Sequence, residues 1–180
     1  MPTETSSTDL PDSSKWSWLQ GTYWYVPEPY LLVMNLSTTN TCGQQITPVK
    51  DQTLWQIVRF ENGYIIGRAA LSFDNQPFIY QTIIGSVTPE GDVLLSFSPE
   101  ENKESQPTSD DSTTVSTGPG RMALIQGKWA IVMQMTNGTT TSNLTHWAYM
   151  LQSTPSDPSW TNIPGMPGIT IREVFAPSDQ

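Results

Sequence analysis

Residues 128–151 read KWAIVMQM, then TNGTTTSN, then LTHWAYML. Two apolar runs rich in aromatic and β-branched residues flank a polar loop with an Asn-Gly pair, which is typical of a β-hairpin. Because side chains alternate along a strand, Trp129, Met133 and Met135 share one face of the first arm. The second arm carries His146, the only histidine of the chain. This hairpin predicts a β protein with an aromatic, Met-rich interior.

The same pattern recurs along the rest of the chain. Short runs rich in aromatic and β-branched residues alternate with turn residues, and no helical period longer than about two turns interrupts them. Residues 30–36 fit either a buried strand or a short helical turn. Loops are expected at 37–51 and 153–168, and the other strands are expected at 16–25, 52–60, 64–73, 77–87, 93–98, 121–126 and 169–175. The short local connections favour an all-β, antiparallel up-and-down β-barrel of about 8–10 strands over a Greek-key sandwich.

Polar segments frame this domain and interrupt it once. Residues 1–15 are dominated by Ser, Thr, Pro and Asp, so we expect a disordered N-terminal tail. Residues 99–119 contain five acidic residues and Val115 as their only aliphatic one, which favours a disordered acidic loop over a lid. We therefore expect a single β-barrel domain over 16–176, followed by a tail at 177–180.

The run WLQGTYW at residues 18–24 resembles the first-strand signature of the calycins, the superfamily of lipocalin-like and avidin-like β-barrels. In that signature a Gly and a nearby Trp open the barrel. Here Trp24 follows Gly21 by three residues instead of two, and Tyr23 holds the expected position. The resemblance implies a barrel with a cavity for a small molecule. It also implies that an Arg of the closing strand, Arg172, packs across Trp24.

Charge and composition exclude several classes of function. The chain has 17 acidic and 8 basic residues, a net charge of −9 and a pI of about 4.3, so nucleic acid and anionic membrane surfaces are poor partners. One Cys and one His cannot form a zinc site, and the glycine motifs of nucleotide-binding folds are absent, so we expect no metal and no cofactor. No apolar run is long enough to span a bilayer and the start lacks a signal-peptide pattern, so the expected compartment is the cytoplasm.

His146 is the candidate catalytic residue. A single His on a strand also fits a structural, hydrogen-bonded role, and a register slip of one residue would reverse the direction in which it points. If it faces an apolar cavity, its pKa would be tuned for acid–base work.

Candidate ligand-binding residues are aromatic, Met and Arg side chains on the predicted strands. An inward Arg would orient an anionic or carbonyl-bearing ligand, and a Met-aromatic stripe either lines the cavity of a barrel or fills its core. We expect a ligand to contact Trp55, Arg59, Tyr64, Tyr80, Trp129, Met133, Met135 and Tyr149.

Three functions remain open at this point. The first is a cofactor-independent cyclase or isomerase of a biosynthetic pathway, which folds a hydrophobic small molecule inside the barrel. Intracellular calycin-like barrels include such cyclases, so the resemblance implies this function. The second is a non-catalytic, lipocalin-like carrier or sensor of a hydrophobic ligand. The third is an interaction protein whose barrel is filled by side chains, and a homodimer is compatible with all three.

Overall fold

A closed antiparallel barrel is the main feature of the computed structural model, which describes residues 12–29, 31–39, 43–100, 116–138 and 142–176. These ranges contain the strands β1 Tyr23–Tyr25, β2 Leu31–Thr39, β3 Gly43–Glu61, β4 Tyr64–Phe73, β5 Ile79–Val87, β6 Asp92–Pro99, β7 Ser116–Ile125, β8 Lys128–Gly138 and β9 Ser142–Ser153. Consecutive strands from β2 to β9 pair antiparallel, and β9 pairs back with β2, which closes a barrel of eight strands. The expected all-β barrel is confirmed.

The strands β1 and β2 form one interrupted strand at the seam of the barrel. Both pair with β3 on one side and with β9 on the other. Tyr25 lies opposite Leu54 and Leu31 lies opposite Asp51, so six steps along this strand match three steps along β3. The extra segment contains two prolines, which lack the N–H that a ladder needs and are therefore tolerated in such a bulge.

A 3₁₀ helix, Ser14–Leu19, closes one end of the barrel. Trp16 is buried there, and its indole N–H donates to the Thr88 carbonyl at 2.9 Å. Its ring meets Trp129 edge-on, with the ring centroids 5.4 Å apart. Gly91 permits this approach, because a Cβ at that position would lie 2.9 Å from the Trp16 ring.

The C-terminal segment covers part of the outer face of the barrel. It contains two short helices, α1 Pro158–Thr161 and α2 Ile171–Val174. Helix α2 and the loop between the helices form a second hydrophobic cluster with the outer side of β1, β3 and β4. Helix α1 packs against β1. A capping box begins α2: Thr170 Oγ1 accepts from the Glu173 N–H at 3.2 Å, and the Glu173 carboxylate accepts from the Thr170 N–H at 2.9 Å. Ile171 of this helix is fully buried against the barrel. Residues 51–55 of β3 are therefore buried on both faces of the strand.

Two expected elements are wrong at the ends of the chain. The aromatic run 16–25 begins as the 3₁₀ helix and only its last three residues form a strand, β1. The expected closing strand 169–175 contains helix α2 instead, because the Thr170–Glu173 capping box starts a helical turn. Arg172 on that helix is exposed, so it does not pack across Trp24, which is fully buried in the barrel.

Segment boundaries also differ from those expected. The predicted loop 37–51 consists largely of the end of β2 and the first half of β3, where the strands pair although most of the described side chains are exposed. The acidic loop ends before 119, because β7 begins at Ser116, and the N-terminal tail ends before 15, because the 3₁₀ helix begins at Ser14. The remainder of these expected disordered segments, at 1–11, 101–115 and 177–180, lies outside the described residues.

Replacing Ile171 by Ala should lower the free energy of unfolding by about 2–4 kcal/mol, because it empties a fully buried site between α2 and the barrel. The neighbouring change Arg172→Ala, at an exposed position, should alter it by less than about 0.5 kcal/mol. Urea unfolding followed by circular dichroism measures both. Equally small effects in the two variants would contradict the packing of the C-terminal segment on the barrel.

Candidate functional site

A cavity lies inside the barrel, at the end opposite the 3₁₀ helix. Its volume is about 220 Å³, and a small recess of about 10 Å³ is lined in part by the same residues and in part by the aromatic core. Asp51, Leu71 and Met135 line both spaces. The wall of the main cavity consists of Val33, Asp51, Leu71, Phe73, Ile79, Gln81, Ser116, Met135, Thr136 and Leu144. Ile79 is 54% exposed, which places it at the rim.

Strand β3 places one carboxyl group in this wall. Asp51, Thr53 and Trp55 alternate with outward-facing residues, so all three face the interior. Asp51 is 2% exposed, and its carboxylate accepts a hydrogen bond from Thr53 Oγ1 at 2.9 Å. Burial raises the pKa of Asp51 to about 7, and the bond from Thr53 offsets part of that effect. At neutral pH the group is therefore present in both its protonated and its ionised form.

Two further polar atoms of the wall have no hydrogen-bond partner among the described residues. Gln81 is 8% exposed and its Oε1 is unpaired, and Trp55 is 1% exposed and its indole N–H is unpaired. The register places Trp55, Ala69 and Gln81 in one row across β3, β4 and β5, with the small Ala69 between the two larger side chains. A buried polar group without a partner costs about 1–3 kcal/mol, so such groups call for a water molecule or a ligand.

Asp51 is the only charged residue in the cavity wall that the described part of the chain forms. An anion placed here would meet a carboxylate of the same sign in a region of low dielectric constant, without a counter-charge. The arrangement combines one titrating carboxyl group, one neutral acceptor, one neutral donor and apolar walls. These groups suit proton transfer on an uncharged organic molecule.

Four of the residues expected to bind a ligand face the interior. Met135 lines both the main cavity and the recess, and Trp55 lines the recess. Met133 is 2% exposed and belongs to the packed core. Trp129 packs against Trp16 at the closed end of the barrel and does not line the cavity.

Arg59 and Tyr64 lie on the outer face, which corrects the expectation that they contact an interior ligand. A bulge shifts the register between Ile57 and Arg59, so Arg59 points outward and pairs with Glu61 at 3.6 Å. Tyr64 follows the β3–β4 turn and is 66% exposed. Strand alternation alone would have placed Arg59 on the same face as Ile57, and the bulge reverses this.

Tyr80 and Tyr149 also lie outside the cavity. Tyr80 is next to the inward Gln81, and its hydroxyl donates to the Val174 carbonyl beneath the C-terminal segment at 3.2 Å. The Tyr149 hydroxyl donates to the Glu28 carboxylate at 3.2 Å. Both tyrosines are therefore held by hydrogen bonds on the outer surface, and their expected contact with an interior ligand is wrong.

The backbone of His146 pairs with that of Met135 across β8 and β9. Its side chain lies outside the part of the chain that the structure describes. A catalytic role for His146 stays a prediction.

Sequence reasoning missed Asp51, Gln81 and Ser116. The alternation of side chains along a strand could have indicated two of them. Counting back in steps of two from Trp55 places Asp51 on the inner face of β3. The same alternation on β5 places Gln81 between the inward positions 79 and 83. A lone polar residue at an inward position of an apolar strand marks a cavity or a buried hydrogen bond. The prediction of a loop at 37–51 leaves Asp51 outside any strand, so alternation assigns it no face.

A second, shallower depression of about 600 Å³ lies on the outer face of β3 to β6. Arg59, Tyr64, Ile84 and Leu94 are among its lining residues. Its polar residues are exposed or half-buried, so water already satisfies them. The inner cavity, with its buried and unpaired polar atoms, is the better candidate site.

Comparison of the chain with protein-family models, with curated proteins and with solved structures finds no match. Among the described residues, no helix is long and apolar enough to cross a membrane.

Asp51→Asn should remove the part of the pH dependence of the free energy of unfolding that the Asp51 carboxyl group causes. The folded protein keeps the Asp51 proton up to a pH of about 7, whereas the unfolded chain loses it near 3.8, so ionisation between these values penalises only the folded state. The contribution of Asp51 to the free energy of unfolding should therefore fall by up to ~4 kcal/mol as the pH rises from about 4 to 7, and stay constant above that.

Urea unfolding at several pH values measures this contribution as the difference between the wild type and Asp51→Asn. The variant should be the more stable protein at a pH of about 8. Asp92→Asn, at an exposed position, is the control and should follow the wild type. Parallel pH profiles for the wild type and Asp51→Asn would contradict the raised pKa.

Proposed function

We propose that the protein binds a small, largely apolar organic molecule in the barrel cavity and isomerises or cyclises it without a cofactor. The supporting observation is Asp51, a carboxyl group with a pKa of about 7 in a mostly apolar wall. A general acid or base works best when its pKa lies near the operating pH. Asp51 is therefore the proposed proton-transfer group, and the catalytic role of His146 stays a separate prediction.

The proposed chemistry is a proton transfer within a single substrate. Ionised Asp51 removes a proton from the substrate, becomes a carboxylic acid, and returns the proton to a different atom, so the oxidation state does not change. The apolar walls hold the substrate in a folded conformation and exclude water. The unpaired atoms of Gln81 and Trp55 offer hydrogen bonds to polar groups of the substrate.

The size of the cavity and the calycin resemblance agree with this proposal. Pockets for drug-sized ligands measure about 300–1,000 Å³, so a cavity of about 220 Å³ suits a small molecule. The WLQGTYW run supports kinship with the calycins, many of which hold a small molecule inside the barrel. We therefore propose that the protein is related to the calycins.

A non-catalytic carrier is the second candidate, because six of the ten residues that line the main cavity are apolar. A carrier needs the apolar wall but not the titrating carboxyl group. Asp51→Asn therefore separates the two functions.

Native mass spectrometry of the protein purified from its own host should reveal a bound small molecule. Met135→Trp, which fills the cavity, should lose this molecule, while Met34→Trp, at an outer position that is 44% exposed, should retain it. Thermal unfolding of both variants checks that the barrel still forms. A wild type without any bound molecule, or a Met135→Trp variant that keeps it, would contradict binding in the cavity.

Conversion of the recovered molecule distinguishes enzyme from carrier. Incubated in heavy water with fresh wild type, it should exchange hydrogen for deuterium or form a product, which NMR detects. Asp51→Asn should bind the molecule but react at least about 100-fold more slowly, because it lacks the proton-transfer group. No exchange and no product with the wild type would leave the carrier as the function, whereas equal reaction rates for the two proteins would exclude Asp51 as the proton-transfer group.

A further inference from the structure

We infer that the ligand of the barrel cavity is an uncharged compound with a hydroxyl group and a carbonyl group close to each other. This inference rests on the proposed function and specifies its substrate class. It is carried by the unpaired atoms of Gln81 and Trp55 and by the places of these two residues in the walls of two spaces that share Asp51, Leu71 and Met135.

The two buried atoms require opposite partners. Gln81 Oε1 is an acceptor and needs a donor, whereas the Trp55 indole N–H is a donor and needs an acceptor. Gln81 lines the main cavity but not the recess, and Trp55 lines the recess but not the main cavity. A single hydroxyl group therefore cannot serve both, and the ligand needs a donor in the main cavity and an acceptor that reaches into the recess.

The size of the recess indicates which acceptor enters it. A space of about 10 Å³ holds roughly one water molecule, and therefore a single oxygen atom. A carbonyl oxygen meets this limit and accepts from the Trp55 indole N–H. The main cavity then holds the carbon skeleton, together with a hydroxyl group that donates to Gln81 Oε1.

Asp51 lines both spaces, so it lies beside the carbon atoms between the two functional groups. Its carboxylate removes a proton from the carbon next to the carbonyl group, and the electron pair of that C–H bond forms the double bond of an enolate. The indole N–H of Trp55 stabilises the enolate oxygen. Protonated Asp51 then gives the proton to the former carbonyl carbon, while the proton of the neighbouring hydroxyl group moves to the enolate oxygen. The carbonyl and hydroxyl groups thereby exchange places, so the product is an isomer of the substrate.

Charged ligands do not fit these groups. A carboxylate would meet Asp51 with no cationic residue in the described wall to balance it. An ammonium group would pair with Asp51 and Gln81, but it would leave the Trp55 N–H without an acceptor. An uncharged hydroxy-carbonyl compound satisfies all three residues.

A set of six-membered-ring probes tests the inference with the full-length protein at a pH of about 7. The probes are 2-hydroxycyclohexanone, cyclohexanone, cyclohexanol, cyclohexanecarboxylate and cyclohexylammonium, and calorimetry or NMR titration measures their affinity. We expect 2-hydroxycyclohexanone to bind at least about tenfold more tightly than any other probe, since it alone pairs both buried atoms. It should also shift the indole N–H signal that Trp55→Phe removes from the NMR spectrum.

Two variants assign the functional groups. Gln81→Met should weaken 2-hydroxycyclohexanone about tenfold and leave cyclohexanone unchanged, whereas Trp55→Phe should weaken both ketones and leave cyclohexanol unchanged. The matched controls are Gln134→Met and Trp147→Phe on the exposed outer face, which should bind every probe like the wild type.

The possible failures are distinguishable. The substrate class is overturned if the carboxylate or the ammonium probe binds most tightly, or if all five probes bind equally. If Met135→Trp abolishes the binding in such a case, the cavity is still supported as the ligand site. If no probe binds and the protein from its host also carries no molecule, both the substrate class and the proposed function are overturned.

Discussion

Closure of the barrel depends on the interrupted strand that β1 and β2 form together. Without it, β3 and β9 would be open edges with unpaired N–H and C=O groups, and these attract other chains. The interruption lies directly opposite the stretch of β3 that carries Asp51 and Thr53. Val26, from the extra segment, helps to line the recess. Bulges are common beside functional sites, and here one shapes the wall next to the only charged group of the described cavity.

The interior is filled unequally along the barrel. Near the 3₁₀ helix, large aromatic side chains such as Trp16 and Trp24 occupy the core. Toward the other end the wall carries a smaller, more polar set of side chains, and a cavity remains. Burying Asp51 and leaving Gln81 and Trp55 unpaired costs stability, which the dense aromatic half offsets. The interior thus divides into a densely packed aromatic half and a half that holds buried polar groups and a cavity.

Local sequence patterns predicted much of the fold. The Asn62-Gly63 pair, with φ angles of 49° and 85°, forms a tight turn between the expected strands 52–60 and 64–73. The strand after this turn follows the alternation of buried and less buried residues. Failures occurred where tertiary contacts override local preference. The segment 37–51 is polar enough for a loop, but its described residues 37–39 and 43–51 form strands, because β2 pairs with β3 there. Arg59 shares its spacing with inward residues, and a single bulge turns it outward.

The sequence by itself determined the class of the fold, because strand period and turn chemistry are local properties that a few neighbouring residues specify. It also determined the net charge of −9, since charge is a property of composition. Only the tertiary structure decided that Asp51 and Gln81 line the cavity and that Asp51 and Trp55 line the recess, because register brings together residues from different strands and levels. The raised pKa of Asp51 likewise depends on its burial inside the barrel. The residues next to Asp51 in the sequence do not by themselves produce this burial.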